Sequence, residues 1–249
     1  MCLILLSWLE QNEFPLIVAA NRDEFFKRPT LAADFWPDQP QILAGRDLEY
    51  GGSWLGISRN GRFAAVTNLR NGDGSGELSR GNLVKDFLLS KVSSVDFLSE
   101  LEATKFDYRP FNFLACDGEQ LAYSNNTDLG WHTLEKGHYA IGNIPLSQSH
   151  PKTQLGIDDL KRTLANAADY QHLLAMLGDR QISDAGNDAL LQALSSRFVS
   201  MPGYGTRSSS IVMCRQNGGW DFWEQLYACK DGEDQHPQSL QHFRFEKES

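Results

Sequence analysis

The chain has 249 residues, enough for one domain with a sizeable core, and 41% of them are hydrophobic, which excludes a disordered polypeptide. A net charge of −9 and a pI near 5.1 argue against a nucleic-acid or anionic-membrane partner. Four cysteines (Cys2, Cys116, Cys214, Cys229) show no paired spacing, so neither a zinc site nor a disulfide framework is expected.

Leu3–Leu9 and Leu16–Ala20 predict two strands joined through the polar Glu10-Gln11-Asn12-Glu13. Both runs are apolar without alternation, as in strands covered on both faces. The first lacks a basic lead and meets Glu10 too soon for a signal peptide or a membrane span. A cytoplasmic protein with no stable membrane insertion is the expectation. Folding the segment about Asn12 sets Cys2 opposite Arg22, so a thiol meets a guanidinium and the carboxylate of Asp23. Phe25 to Tyr50 predicts a long functional loop in which Phe35 and Trp36 wall a pocket or cover the core edge.

Gly51-Gly52-Ser53-Trp54-Leu55-Gly56 leads into a strand that turns at Asn60-Gly61 and returns over Arg62–Asn68. Counting about that turn sets Ser53 opposite Asn68, with Gly51 and Gly52 beside it and free to approach a ligand. Asn68 is a candidate oxyanion donor, or an ordinary turn asparagine. Asp73-Gly74-Ser75-Gly76 is a flexible loop without the Gly-Lys of a phosphate-binding loop. Ser79 predicts the cap of a helix with Leu83, Val84, Phe87 and Leu88 on one face, and Ser94 starts a second, both in one outer layer.

Residues 112 to 142 predict a strand meander ending at Gly142-Asn143. Helices follow at about 153–166, 169–177 and 186–198, with apolar stripes at Leu173 and Leu177 and at Leu190, Leu191, Leu194 and Phe198. Gly203–Arg207 enters a strand over Ser210–Arg215, and Asn217-Gly218 turns it into Trp220–Tyr227. The tail after Lys230 reads as peripheral, apart from Phe243 and Phe245. Runs of strands alternating with runs of helices exclude a parallel βαβ fold and give an α+β class.

The chemistry centres on Cys2. Removal of Met1 would free an α-amine of pKa about 7.7–8.0, able to take the proton of a thiol near 8.5 without any histidine. Asp23 would orient the ammonium, and Arg22 would favour the thiolate, keeping it reactive below pH 8. The alternative is a small buried cysteine beside a strand-end Arg22–Asp23 pair.

Met1-Cys2, Asn21-Arg22-Asp23-Glu24, Gly51–Gly56, Thr67-Asn68, Ser79-Arg80-Gly81 and Gly205-Thr206-Arg207 together resemble the NRDE family, also known as the transport and Golgi organisation protein 2 family. That family is similar to N-terminal nucleophile hydrolases. The resemblance covers essentially the whole chain and implies one domain over 1–249. Its fold would be a four-layer αββα sandwich, with two mainly antiparallel sheets between helix layers. It also implies an amidohydrolase acting on an amide or related acyl bond, with Cys2 as nucleophile and no cofactor needed. Arg22, Asp23, Asn68, Asn143 and Arg207 would be its catalytic partners. Asn21, Glu24, Gly51, Gly52, Ser53 and Trp54 would bind substrate. A second implied function is a non-enzymatic carrier of haem or acyl-CoA. Without a Cys-x-x-Cys-His motif the haem would be non-covalent. The chain departs from the family pattern at Gly142, where serine is expected, and at His150, where tryptophan is expected. Arg22 and Asp23 are adjacent, whereas the bile-salt-hydrolase branch sets its arginine three residues before its aspartate.

Overall fold

The computed structural model describes residues 2–70, 76–182, 189–228 and 235–248. The Asp73–Ser75 part of the expected flexible loop, and Cys229, lie outside them. The first hairpin forms as its apolar runs require. Leu3–Trp8 (β1) pairs antiparallel with Leu16–Phe25 (β2), setting Leu3 against Asn21. β1 is buried throughout and β2 is buried as far as Asp23, so each has a layer on both sides. β2 runs on to Phe25, which places Asn21–Glu24 inside a strand rather than beyond one.

The expected long loop is instead a hairpin of Thr30–Trp36 (β3) and Gln39–Asp47 (β4). A register shift between Leu31 and Asp34 breaks its alternation, which hid the strand from a period-2 reading. Leu55–Ser58 (β5) and Phe63–Asn68 (β6) follow. They pair Leu55 with Ala65, one residue away from the expected register, so Gly52 rather than Ser53 comes level with Asn68. The reason is the turn. Ser58 N–H donates to Arg62 O across the three residues Arg59-Asn60-Gly61, and Gly61 takes φ +86°.

Gly81–Leu89 (α1) and Ser94–Leu101 (α2) come next. Arg80, not Ser79, occupies the cap position of α1, without a side-chain bond, while Ser93 caps α2 by accepting from Asp96 N–H. Of the expected meander, Phe111–Cys116 (β7), Leu121–Asn125 (β8) and Trp131–Thr133 (β9) pair in turn, whereas Gly137–Ile141 (β10) leaves them and pairs with β1. Pro151–Asn166 (α3), Tyr170–Leu177 (α4) and Ala189–Ser195 (α5) are the later helices. His150 caps α3 with its ring nitrogen. The expected stripe at 190–198 is only partly a core face, because Leu190 and Leu191 are exposed and Phe198 lies beyond α5. Ser200–Met201 (β11), Tyr204–Cys214 (β12), Trp220–Ala228 (β13) and His236–Phe245 (β14) finish the chain. The tail is therefore not peripheral, since β14 pairs with β13 along its length.

The strands form two antiparallel sheets. One runs β10-β1-β2-β12-β13-β14, with β11 on β12, and the other runs β3 to β9 in sequence order. Ile4, Leu6, Val18, Val212 and Phe222 meet Leu55, Phe63, Leu114 and Tyr123 between the sheets. α1 and α2 cover the outer face of the second sheet through Val84, Phe87 and Leu98. α3 and α4 cover the first through Leu160, Leu173 and Leu177. No helix among the described residues is long and apolar enough to cross a membrane.

Gly52 packs where two backbones cross. A Cβ there would lie 2.4 Å from Gly81 C, and Ser53 N–H donates to Gly81 O at 3.2 Å. The glycine thus accommodates the start of α1 rather than a ligand. Gly52→Ala should destabilise the protein by about 1–3 kcal/mol, the usual cost of overpacking. Thermal melts followed by circular dichroism would test this, and an unchanged melting temperature would contradict it.

Candidate active site

Successive side chains of a strand point to opposite faces. Leu16, Val18 and Ala20 of β2 lie in the core between the sheets, while Ile17 and Ala19 face the helices. Arg22 and Glu24 continue the first series, Asn21 and Asp23 the second. Asn21 Nδ2 donates to Leu177 O (3.0 Å) and Arg197 O (2.9 Å), and its Oδ1 accepts from Ser209 Oγ. Its amide ties β2 to α4 and does not reach the cavity assigned to it from sequence. Asp23 Oδ1 accepts from Thr206 Oγ1 at 2.7 Å on that same face.

Cys2 stands one step beyond the Leu3–Asn21 pair and so against Arg22, as the hairpin count requires. Its thiol donates to Asp23 O at 3.6 Å. Cys2, Arg22, Glu24, Ser53, Trp54 and Asn68 line one cavity of about 100 Å³, which Arg28, Arg80 and Arg109 complete. The Arg22 guanidinium lies 4.3 Å over the Trp54 ring, and no hydrogen bond or ion pair joins it to a described residue. Trp54 reaches this place because residue 45 is glycine. A Cβ on Gly45 would fall 2.1 Å from the indole.

Arg28 is paired with Asp47 (2.6 Å) and Glu49 (2.7 Å). Arg80 and Arg109 instead donate to neutral oxygens, Pro110 O at 3.0 Å and Tyr50 Oη at 3.1 Å. The cavity therefore presents a surplus of positive charge. Burial nonetheless pushes the Cys2 thiol up from its ordinary value. Arg22 opposes that shift and is outweighed in the chain that carries Met1, whereas the depressed thiol is expected of the chain without it.

Asn68 is exposed at the rim. Asn143 is buried, and its Nδ2 donates to Asn68 O at 2.6 Å. Carrying the β1–β10 register past its last pair, Ile4 with Ile141, sets Asn143 beside Cys2. Its amide thus holds the Asn68 backbone and is not part of the cavity lining. Arg207 sits in a bulge between Thr206 and Ser208. It donates to Arg28 O and to Phe25 O, so it fixes the β2–β3 turn and borders a neighbouring cavity rather than the one holding Cys2. Gly51, at φ +74°, makes the turn after β4 and also stands outside the lining, as does Gly52.

Sequence reasoning did not assign roles to Arg28, Asp47, Arg80, Arg109 or Lys152. Arg28 and Asp47 fell in the stretch read as a loop, and Arg80 in a motif noted without a role. Lys152 is almost fully buried at the start of α3, with Nζ donating to Leu194 O at 3.2 Å. Burial pulls its pKa down, opposed first by Asp23 and then by Cys2. The Pro151-Lys152 step after His150, at the start of a helix, is its signal in the sequence.

The family described as Transport and Golgi organisation 2 matches residues 1–229. The Homo sapiens Transport and Golgi organization protein 2 homolog is 33% identical over 262 residues, covering 93% of this chain and 95% of that protein. The Bos taurus homolog is 33% identical over 260 residues, covering 90% and 92%. Among solved structures, the Caenorhabditis elegans N-acylethanolamine-hydrolyzing acid amidase ortholog superposes with a TM-score of 0.51 at 8% identity, covering 85% of this chain and 92% of that one. The likeness is one of fold. Two antiparallel sheets between helix layers are of the N-terminal nucleophile hydrolase type.

A raised thiol pKa has a direct readout. In protein retaining Met1, alkylation of Cys2 by iodoacetamide should accelerate with pH about a midpoint above the ordinary thiol value of about 8.5. Arg22→Met should move that midpoint higher, because the guanidinium is one of the groups favouring the thiolate. Peptide mass spectrometry over a pH series measures both. A midpoint below the ordinary value, or one that Arg22→Met leaves in place, would contradict the assignment.

Proposed function

The chain belongs to the Transport and Golgi organisation 2 family, and on that footing we propose that it is an N-terminal-cysteine hydrolase of an amide or related acyl bond whose substrate carries an anionic group. One observation carries the reading: the Cys2 thiol, at the head of β1, opens into a cavity lined by Arg22, Arg80 and Arg109. The reading includes one domain over 1–249, a cytoplasmic location and no required cofactor.

Removal of Met1 would give Cys2 an α-amine that titrates near 7.7–8.0 and reaches its own thiol. Burial favours the protonated thiol, so Cys2 needs that base at the moment of attack. The sulfur then adds to the acyl carbon, and the amine takes the thiol proton. Negative charge develops on the acyl oxygen, where Arg22 and the Asn68 amide, both in the cavity lining, would serve as donors. Collapse expels the leaving amine, which receives the proton from the ammonium, and water cleaves the thioester. Asp23, held by Thr206, faces the helix side of the strand and serves as a positioning residue for the amine. Arg80 and Arg109 would hold the anionic group of the substrate. The carrier alternative, with haem or acyl-CoA, draws less support, because the cavity of about 100 Å³ is smaller than the usual ligand pocket of about 300–1,000 Å³.

Cys2→Ser should cut turnover of an amide substrate by about 10³ or more. Cys116→Ser, Cys214→Ser and Cys229→Ser should leave it near the wild-type rate. Burial pushes the Cys116 thiol up to about 12 and Cys214 to about 11, so neither competes as a nucleophile. Protein with Met1 removed, checked by intact mass, should hydrolyse the substrate, and a homogeneous Met1-retaining form should not. Equal turnover by both forms would eliminate the amine as base. Tight haem or acyl-CoA binding without turnover in either form would favour the carrier.

A further inference from the structure

Beyond the Arg22–Trp54 pair lies a second cavity of about 280 Å³, and these two residues border both spaces. Its polar end holds Glu224 of β13. Trp220 and Phe222 of that strand point between the sheets and Trp223 points to the helices, so Glu224 projects inward, fully buried. Oε2 accepts the Ala33 N–H at 2.6 Å, the backbone donor that the β3 bulge takes out of its ladder. Oε1 has no hydrogen bond within 3.5 Å among the described residues, although the Ser208 side chain borders the same carboxyl.

Arg22 faces the same space from the other side. It too is buried, at 5% exposed, and its guanidinium lacks a hydrogen-bond partner among the described residues. Burial pushes the Glu224 carboxyl up, and Ala33, Ser208 and then Arg22 oppose that shift, yet no ion pair within 4.0 Å joins Glu224 to Arg22. Buried opposite charges that stand apart leave both short of partners, an arrangement that costs stability unless a third group bridges them. The bridge must accept from Arg22 and donate to Glu224. A cation is repelled by Arg22 and by Arg207, which borders the cavity while donating to Phe25 O and Arg28 O, and a carboxylate is repelled by Glu224. A neutral carboxamide offers its acceptor and its donor on separate atoms, and so can span two groups that do not meet. Leu31, Trp54 and Leu226 supply apolar walls for the body that carries it.

We infer that this cavity is a subsite for a neutral carboxamide on an apolar group, held between Arg22 and Glu224. The inference rests on the proposed hydrolase only in making that carboxamide a second amide of the substrate cleaved at Cys2. Binding itself needs no turnover.

The test uses Cys2→Ala protein and three probes of one shape, benzamide, benzoate and benzylammonium, titrated by ligand-observed NMR. Benzamide should bind at least about tenfold more tightly than the other two, the size expected from one hydrogen bond to a charged group. Glu224→Gln keeps an acceptor for Ala33 N–H and replaces Oε1 by an NH₂ donor. It should reverse the order, so that benzoate binds better than benzamide, which loss of folding cannot mimic. If that variant fails to fold, Arg22→Met should weaken benzamide and strengthen benzylammonium. Equal affinities in the parent protein, benzoate as its tightest probe, or an unchanged order in the folded variants would each overturn the inference. Lost selectivity, with hydrolysis intact in protein that keeps Cys2, refutes the subsite alone. Intact selectivity without hydrolysis refutes the hydrolase alone.

Discussion

The alternation of side chains across β2 is the constraint on which the site depends. Four consecutive residues, Asn21 to Glu24, serve two different layers because a strand turns each neighbour to the opposite face. Asn21 and Asp23 bind the sheet to α4 and to Thr206 of β12. Arg22 and Glu24 enter the space beside Cys2. β2 lies in the sheet between β1 and β12, so both ladders hold its register. A slip by one residue would exchange the two pairs, burying Arg22 under the helices and emptying the cavity of its central cation.

The loops that close the site are held by a buried polar network rather than by apolar packing. Tyr123 Oη donates to Asn112 Oδ1 at 2.6 Å, and Asn112 Nδ2 donates to Gly142 O and Ile144 O. Thr67 Oγ1 also reaches Gly142 O, which brings the end of β6 and the end of β10 together. Burial pushes the Tyr123 phenol up to about 12, so it remains a donor throughout the working range. In a low-dielectric interior such a network is favourable only when its members find partners, and it fixes one arrangement of loops.

The parts of this site that sequence made legible are those that follow from counting. The pairing of Cys2 with Arg22 needed only a turn at Asn12 and two unbroken strands. The helix faces of α1, α2 and α4 followed from their spacing. Bulges defeated the same arithmetic. One in β3 disguised a strand as a loop, and another in β12 turned Arg207 away from Cys2 toward the β2–β3 turn. A three-residue turn at Arg59–Gly61 moved Ser53 by one place. Gly52 was recognised as special but given a substrate-binding role, and Asn143 a catalytic one, because sequence does not show that Gly81 crosses the first and Asn68 occupies the second. The buried charges were the least visible. Lys152 and Glu224 look like ordinary surface residues until the layers above them are in place.

The partition between the two cavities is one indole thick, and its thickness is set from behind by a residue with no side chain. Gly45 leaves the room that the Trp54 ring occupies, so the two positions share a fixed volume. Among family members they should change together: a methyl or larger group at 45 calls for a smaller ring at 54. Such an exchange would thin the partition under Arg22 and merge the two chambers into one. Substrate length would then be governed from the outer surface of the ring, by a position that no ligand touches.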